Sequence, residues 1–238
     1  MQDFRNQVVL ITGGTGNLGA PVARAFAQAG AQIALLDRDP AKQAKLFPDW
    51  DATSPHLLQG PVDLLDPDAT ASAVQQVVAR YGRIDVLVNT VGGYRAGKPV
   101  HEMDVAVWDL MLNLNARTTL LACRAVAPVM IAQGWGKIVN VAARAGVVGT
   151  ANHAAYAASK AAVMRLTESL SAELKAHGIN VNCVLPGTID TEDNRAAMPN
   201  ADRSRWVAPE SLAEVIGFLA SEAARDVHAA ALPVYGLG

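Results

Sequence analysis

Val8-Val9-Leu10-Ile11 runs directly into Thr12-Gly13-Gly14-Thr15-Gly16-Asn17-Leu18-Gly19, and an apolar-periodic stretch continues from Leu18 to Ala29. The short β-branched run reads as a buried strand, and the stretch after it as a helix. Glycines at such a turn let the backbone come close to a pyrophosphate. The helix N-terminus behind them offers N–H donors and the positive end of its dipole. A glycine string alone is weak. Between a first strand and a first helix it reads as a dinucleotide-phosphate turn, against the plainer alternative of a tight structural turn.

The same alternation continues outward. Ile33–Leu36, Ile84–Val88, Lys137–Val141 and Ile179–Leu185 read as strands, and Ala229–Val234 as the last one. Asp66-Pro67 opens a helix that Gly82 stops after Tyr81, and a long helix from Ala154 to Ala176 ends at Gly178. Continuous apolar strands separated by helices predict an α/β fold: one doubly wound domain over residues 1–238, with a parallel seven-stranded sheet and helices on both faces. The polar stretch Thr188 to Pro209 reads as a loop with short helical pieces, of a length that is usually functional or mobile.

Composition narrows the function. Twenty basic residues against 22 acidic leave a net charge of −2, so no basic excess points to nucleic acid or an anionic membrane. No apolar run reaches the ~18 residues of a spanning helix, and Met1 to Leu10 lacks the apolar core and small-residue site of a signal peptide. Cys123 and Cys183 give neither a disulfide framework nor metal-ligand spacing, and read as buried and inert. A soluble protein of the reducing cytoplasm, without metal, nucleic-acid or membrane partner, is expected.

Asp37 ends the second strand, 18 residues after Gly19. A carboxylate there accepts hydrogen bonds from adenosine ribose hydroxyls and repels a 2′-phosphate, which favours NAD over NADP. Arg38 follows and could hold a 2′-phosphate; a helix cap before Pro40 is the alternative for Asp37. Tyr156 and Lys160 stand at i, i+4 on one helix face. A phenol must drop from its usual ~10 to act near neutrality, and an adjacent ammonium favours that.

With these residues, the whole chain resembles the single-domain short-chain dehydrogenase/reductases. The ordered set is the glycine turn, Asp37, Asp63 in Val62-Asp63-Leu64, Asn89-Thr90-Val91-Gly92, Asn115, Tyr156 with Lys160, and Pro186-Gly187 with Thr191. The resemblance implies a Rossmann domain with a nicotinamide cofactor. Tyr156 is then the proton donor and acceptor, Lys160 holds the nicotinamide ribose and lowers the phenol pKa, and Asn115 anchors a water in the proton relay. Gly13, Thr15, Gly16, Asn17, Leu18 and Gly19 form the phosphate turn, with Asp37 and Arg38 at the adenosine ribose. Asp63 and Leu64 contact the adenine. Asn89, Val91 and Gly92 border the adenosine ribose, and Pro186, Gly187, Ile189 and Thr191 line the nicotinamide. A homodimer or homotetramer is implied, through helices within 104–133 and 154–176, with the last strand as a second contact.

Three departures matter. Gly16-Asn17 replaces a glycine at the later turn position, and Asn89-Thr90-Val91-Gly92 replaces Asn-Asn-Ala-Gly. Ala143 stands 13 residues before Tyr156, where the family has its catalytic serine. These departures are similar to the dihydropteridine reductases, as are Gly92-Gly93-Tyr94 and the late segment with Asn194-Arg195, Met198-Pro199 and Trp206, whereas Asn115 and Ile179-Asn180-Val181-Asn182 follow the general carbonyl reductases. Substrate-facing candidates are Ala143, Tyr94 and His153. Tyr94 reads either as a stacking platform or as cover for the sheet edge, His153 as substrate-facing or solvated, and Arg144 as a surface charge or a pocket cation. The expected function is NAD(H)-dependent hydride transfer between nicotinamide and a small carbonyl, quinone-like or pterin-like substrate. A dihydropteridine reductase and a nucleotide-binding pseudoenzyme are the alternatives.

Overall fold

Val8–Thr12 forms β1 with every residue buried. Its alternate side chains feed two cores: Val9 and Ile11 on one face of the sheet, Val8 and Leu10 on the other. A strand apolar on both sides has to be covered on both sides. The structure, a computed structural model, describes residues 2–238, so the first residue of the expected domain lies outside it.

The chain continues through α1 (Gly19–Gln28), β2 (Gln32–Leu36), α2 (Pro40–Leu46), β3 (Leu57–Gln59), α3 (Pro67–Tyr81) and β4 (Val86–Asn89). It then passes through α4 (Val105–Met111), α5 (Thr118–Gln133), β5 (Gly136–Val141), α6 (Ala154–Leu174) and β6 (Ile179–Pro186). The last elements are α7 (Glu192–Ala197), α8 (Pro209–Leu219) and β7 (Ala231–Val234). The sheet order is β3-β2-β1-β4-β5-β6-β7, and every pairing is parallel. One core packs Val22 and Phe26 of α1 and Leu212 and Ile216 of α8 against the sheet. The other packs Val74 and Val77 of α3 and Val126 and Met130 of α5. The strand order reverses between β1 and β4, which opens a crevice at the carboxyl ends of the strands.

Local chemistry explains most boundaries. Asp66 caps α3 by accepting from the Asp68 and Ala69 N–H groups, and Gly82 ends it in the left-handed region. The long helix stops at Leu174, and a tighter helical turn, Lys175–His177, leads into Gly178. The short elements α2 and β3 leave no periodic signal in the sequence. α2 begins at a cap provided by Asp39, which accepts from the Lys42 N–H at 2.9 Å; the cap before Pro40 is therefore Asp39, which leaves Asp37 outside the helix. Thr188 to Pro209 contains α7, a helical turn at Arg203–Arg205 and a bridge between Ile189 and Val207.

Polar residues inside the strands form a closed chain of hydrogen bonds. Thr12 donates to Asn89 at 3.2 Å, Asn89 to Asn140 at 2.9 Å, and Asn140 to the Thr167 hydroxyl at 2.9 Å. The Thr167 hydroxyl then donates to the Val163 carbonyl at 2.8 Å. This ties β1, β4, β5 and α6 together beneath the crevice, with each buried amide satisfied. Among the described residues no helix is long and apolar enough to cross a membrane, and no group of three His, Cys, Asp or Glu side chains is placed to hold a metal.

Candidate active site

The glycine turn is shaped by close backbone approach. Gly13 has φ +71°, and a Cβ on Gly19 would stand 2.1 Å from the Gly13 carbonyl oxygen. Thr90 answers for the unusual Asn-Thr-Val-Gly sequence: its hydroxyl donates to the Thr12 carbonyl at 2.6 Å and clamps the end of β4 to the turn. Asp37 faces the turn. It accepts from the Thr15 N–H at 2.9 Å and the Thr15 hydroxyl at 2.8 Å. Gly16 and Asn17 are exposed at the start of α1, and Asn17 donates to Asp193 at 2.8 Å, tying α7 to the turn. A glycine turn too tight for side chains, a helix start above it and a carboxylate beside it fit a nicotinamide dinucleotide laid across the crevice.

Several adenosine-side candidates present main chain to the crevice. Leu18 and Leu64 are buried in the two cores, and the Asn89 side chain is spent on Thr12 and Asn140. Their side chains are therefore structural, which leaves the main chain of Leu64 and Asn89 to meet an adenine or ribose. Asp63 is exposed and accepts from the Leu65 N–H at 3.0 Å. Arg38 is exposed next to Asp37, and Val91 lies against Gly13.

At the other end of the crevice, Pro186 closes β6 and the Gly187 N–H donates to the Val234 carbonyl at 2.9 Å. Ile189 bridges to Val207. The Thr191 hydroxyl caps α7 by accepting from the Asn194 N–H at 3.2 Å.

α6 carries Tyr156 and Lys160 on successive turns. Lys160 is buried and donates to the Val141 carbonyl at 2.9 Å, which places its ammonium between the ends of β5 and β4, close to Gly92. Burial lowers its pKa from 10.5 to about 8. Burial also raises Tyr156 to about 12, and the neighbouring Tyr94 phenol adds to the rise. This reverses the expected lowering. The ammonium is turned to Val141, and desolvation of the phenol dominates. The side chain that results is a neutral phenol throughout the neutral range.

Asn115 sits where α4 and α5 are joined by a wide helical turn, Leu112–Arg117, with the i→i+5 bonding that often marks functional sites. Its amide grips Gly93, accepting from the N–H at 2.9 Å and donating to the carbonyl at 3.1 Å. It also donates to the buried Ser159 hydroxyl at 2.9 Å, which in turn donates to the Tyr156 carbonyl at 2.8 Å. Asn115 thus joins the loop after β4 to the Tyr156 turn. Ser159 is missed by the sequence reading; a small polar residue on the inner face of a long helix is the signal for this bridging part.

The loop after β4 brings Tyr94 to Tyr156, edge to face with ring centroids 4.9 Å apart. His153 stands 2.9 Å from the Tyr94 hydroxyl. Ala143 is buried, extended, and leads into a turn over Arg144–Gly146 that packs on α6. Apart from the phenols of Tyr94 and Tyr156 and the imidazole of His153, this corner has a methyl group where a hydroxyl is usual.

Comparison with known proteins agrees with this geometry. The family model described as short chain dehydrogenase matches residues 7–202. The cis-4-hydroxycyclohexanecarboxylate dehydrogenase of Sinomonas cyclohexanicum is 36% identical, over 98% of this chain and 96% of that one. The D-threitol dehydrogenase of Mycolicibacterium smegmatis is 35% identical, over 98% and 94%. The solved structure of NAD+-bound xylitol dehydrogenase superposes with a TM-score of 0.90 at 27% identity, over 99% of this chain and all (100%) of that one. The chain belongs to the short-chain dehydrogenase/reductase family. It is an oxidoreductase of the nicotinamide-binding kind that moves hydride to or from a carbonyl carbon, so the pseudoenzyme alternative falls away.

Proposed function

We propose that this oxidoreductase uses NADH to reduce a small conjugated acceptor, quinone-like or pterin-like, in the cytoplasm. The observation that carries the reading is Tyr156 on the helical turn before the buried Lys160, with a methyl group at Ala143. When bound, the nicotinamide supplies the hydride. Tyr156 gives its proton to the acceptor atom that gains negative charge, and the Lys160 ammonium stabilises the phenolate left behind. Asn115 keeps Gly93 and the Tyr156 turn in register. The Tyr94 ring shields the phenol from water. A ketone oxygen needs a second donor while charge builds on it; a conjugated ring spreads that charge and needs it less.

NADH rather than NADPH is supported by the Asp37 carboxylate at the glycine turn. The NAD+-bound neighbour structure points the same way. A cyclic acceptor accords with the relative named for a hydroxycyclohexanecarboxylate. A homodimer or homotetramer is supported by half-exposed Trp108, Leu110, Leu120 and Ile131 along α4 and α5, and by an apolar groove of about 330 Å³ between Leu112, Ala116, Leu120, Ala162 and Leu166. Light scattering that gives a monomer at micromolar concentration overturns this assembly.

A dihydropteridine reductase is the second reading, favoured by Tyr94 standing edge-on to Tyr156 where a flat ring could be held. One panel tests both: NADH oxidation with simple ketones, quinones and quinonoid dihydropterin, by the native chain and Tyr156→Phe. Turnover of conjugated acceptors that falls at least ~10²-fold in Tyr156→Phe is expected, the usual size of a general-acid contribution. Equal turnover by the two proteins sinks the assignment of the proton to Tyr156.

A further inference from the structure

Three arginines stack on aromatic rings: Arg24 on Phe47, Arg80 on Tyr81 and Arg144 on Tyr235. The first two spend donors on main-chain carbonyls, Arg24 on Leu46 and Arg80 on Ser54. Arg144 does not. Among the described residues no carboxylate pairs with the exposed Arg144, as with Arg38, Arg95, Arg117, Arg124 and Arg203, but of these only Arg144 stands over an aromatic ring. Its guanidinium carbon is 5.0 Å from the Tyr235 ring centre. A guanidinium held over a ring keeps its N–H groups free, the arrangement that suits recognition of an anion.

Its position gives that free cation a purpose. Arg144 follows Ala143, and its turn packs on α6 so closely that Gly146 lies against the main chain of Lys160. The supporting ring is anchored too. Tyr235 packs with Ala142, Cys183 and Leu185, and its main chain lies against Gly187. Arg205 donates to the Leu237 carbonyl at 3.0 and 2.8 Å and pins the tail that carries Tyr235. Arg144 is therefore held between the segment before Tyr156 and the segment that closes β6.

We propose that Arg144 determines specificity at this site, and that the natural acceptor carries a carboxylate which the guanidinium holds while the reducible group faces Tyr156. The inference rests on the hydride-transfer reading above and adds the charge of the substrate to it. It also gives a reason why Ala143 can be tolerated. An anion anchored one residue away positions the reacting carbon through binding energy far from the chemistry, which offsets a missing donor at the reacting atom.

The test uses a matched pair of probes, 4-oxocyclohexanecarboxylate and its methyl ester, with saturating NADH. The native chain is expected to favour the acid. Arg144→Met should lose about 10- to 100-fold in kcat/KM on the acid, mostly through KM, and far less on the ester, as for hydrogen bonds to a charged group. Arg144→Lys, with the charge but not the fork, should fall between. Equal losses on acid and ester, or no loss on the acid, overturn the proposal. Calorimetric titration of the acid into the NADH-loaded protein gives a readout independent of turnover. Binding of the acid that weakens in Arg144→Met supports the anion site even if neither probe is reduced, because slow turnover of an unactivated ketone is what the methyl group at Ala143 leads one to expect. Binding that ignores the substitution overturns the anion site alone.

Discussion

Tyr94 donates its hydroxyl hydrogen to Nε2 of His153, across 2.9 Å. The direction is fixed from behind, because Nδ1 of His153 lies 2.7 Å from the Ala151 carbonyl. A carbonyl only accepts, so Nδ1 carries the proton of the neutral ring and Nε2 is left as the acceptor. Tyr94 is thereby oriented as a polar-tipped wall against Tyr156, although its own side chain is more than half exposed, at 55%.

Burial raises the proton affinity of Tyr156, and this wall adds to the rise. Removing the ring admits water to the phenol and takes away a neighbouring phenol, and both changes lower the pKa from about 12 towards its ordinary 10. Tyr94→Ala should therefore shift the Tyr156 phenol downward, read as the ultraviolet titration difference between Tyr94→Ala and Tyr94→Ala/Tyr156→Phe. Tyr94→Phe keeps the ring and should shift it much less. An unmoved Tyr156 in Tyr94→Ala contradicts the shielding role.

Cofactor choice follows from the carboxylate that faces Thr15. A 2′-phosphate brought beside Asp37 meets like charge in a part-buried setting, so kcat/KM with NADH should exceed that with NADPH by at least about 10-fold. Asp37→Ser removes the repulsion and leaves Arg38 to attract the phosphate, and the preference should shrink or invert. Equal use of both cofactors by the native chain shows that Arg38 governs this end of the crevice.

What the sequence reveals of this molecule follows physical periodicity. β1, β4, β5 and β6 are rich in β-branched and aliphatic residues despite the buried Asn89, Lys137, Asn140, Asn180 and Asn182, so their position is legible from residue type, and the Asp66 cap and Gly82 stop mark α3 within a residue. β3 is a three-residue edge strand and α2 a seven-residue helix, each too short to build a pattern. Tyr156 and Lys160 are legible because a helix has a fixed repeat. The Asn89–Asn140–Thr167 chain is not, since its members are far apart in sequence and meet only when parallel strands align. The direction of the Tyr156 shift was out of reach for the same reason. It depends on how deeply the phenol is buried and on the Lys160 ammonium bonding Val141, neither of which a spacing of four residues encodes.

Lys160 is held in the site at a cost to stability. Its folded pKa of about 8 lies below the ordinary 10.5, so between those values the unfolded chain binds more protons and stability rises with pH. Below about pH 8 the buried ammonium is charged and the full penalty applies, roughly 3 kcal/mol from the size of the shift. Lys160→Met should accordingly raise the melting midpoint of the cofactor-free protein at pH 7, by up to about 6–12 °C at about 2–4 °C per kcal/mol, less whatever the lost hydrogen bond to Val141 contributed. The gain should shrink near pH 10, and activity should be largely lost. A variant that melts lower than the native chain at pH 7 shows that the hydrogen bond to Val141 outweighs the buried charge.

Ala143 gives the sharpest test of acceptor chemistry. Its backbone is extended, with φ −167° and ψ 159°, and it is buried at the start of the turn that packs on α6. A serine fits extended backbone without strain and adds one oxygen, so Ala143→Ser should fold. As hydride reaches a simple ketone, its oxygen becomes alkoxide-like, and a hydroxyl aimed at it supplies a donor whose loss in other enzymes costs ~10²–10³ in turnover. Ala143→Ser should therefore raise kcat/KM for an unactivated ketone, by at least about 10-fold if the new hydroxyl is aligned. Turnover of a conjugated acceptor should change little, because its incoming charge is already delocalised. Both acceptors are measured with both proteins at saturating NADH. If the native chain already reduces the unactivated ketone at a kcat/KM of about 10⁴ M⁻¹s⁻¹ or more, the low end of ordinary enzymes, then the methyl group at Ala143 carries no information about substrate. Tyr156 with Lys160 then suffices for ordinary carbonyl reduction, and the conjugated-acceptor reading gives way to it.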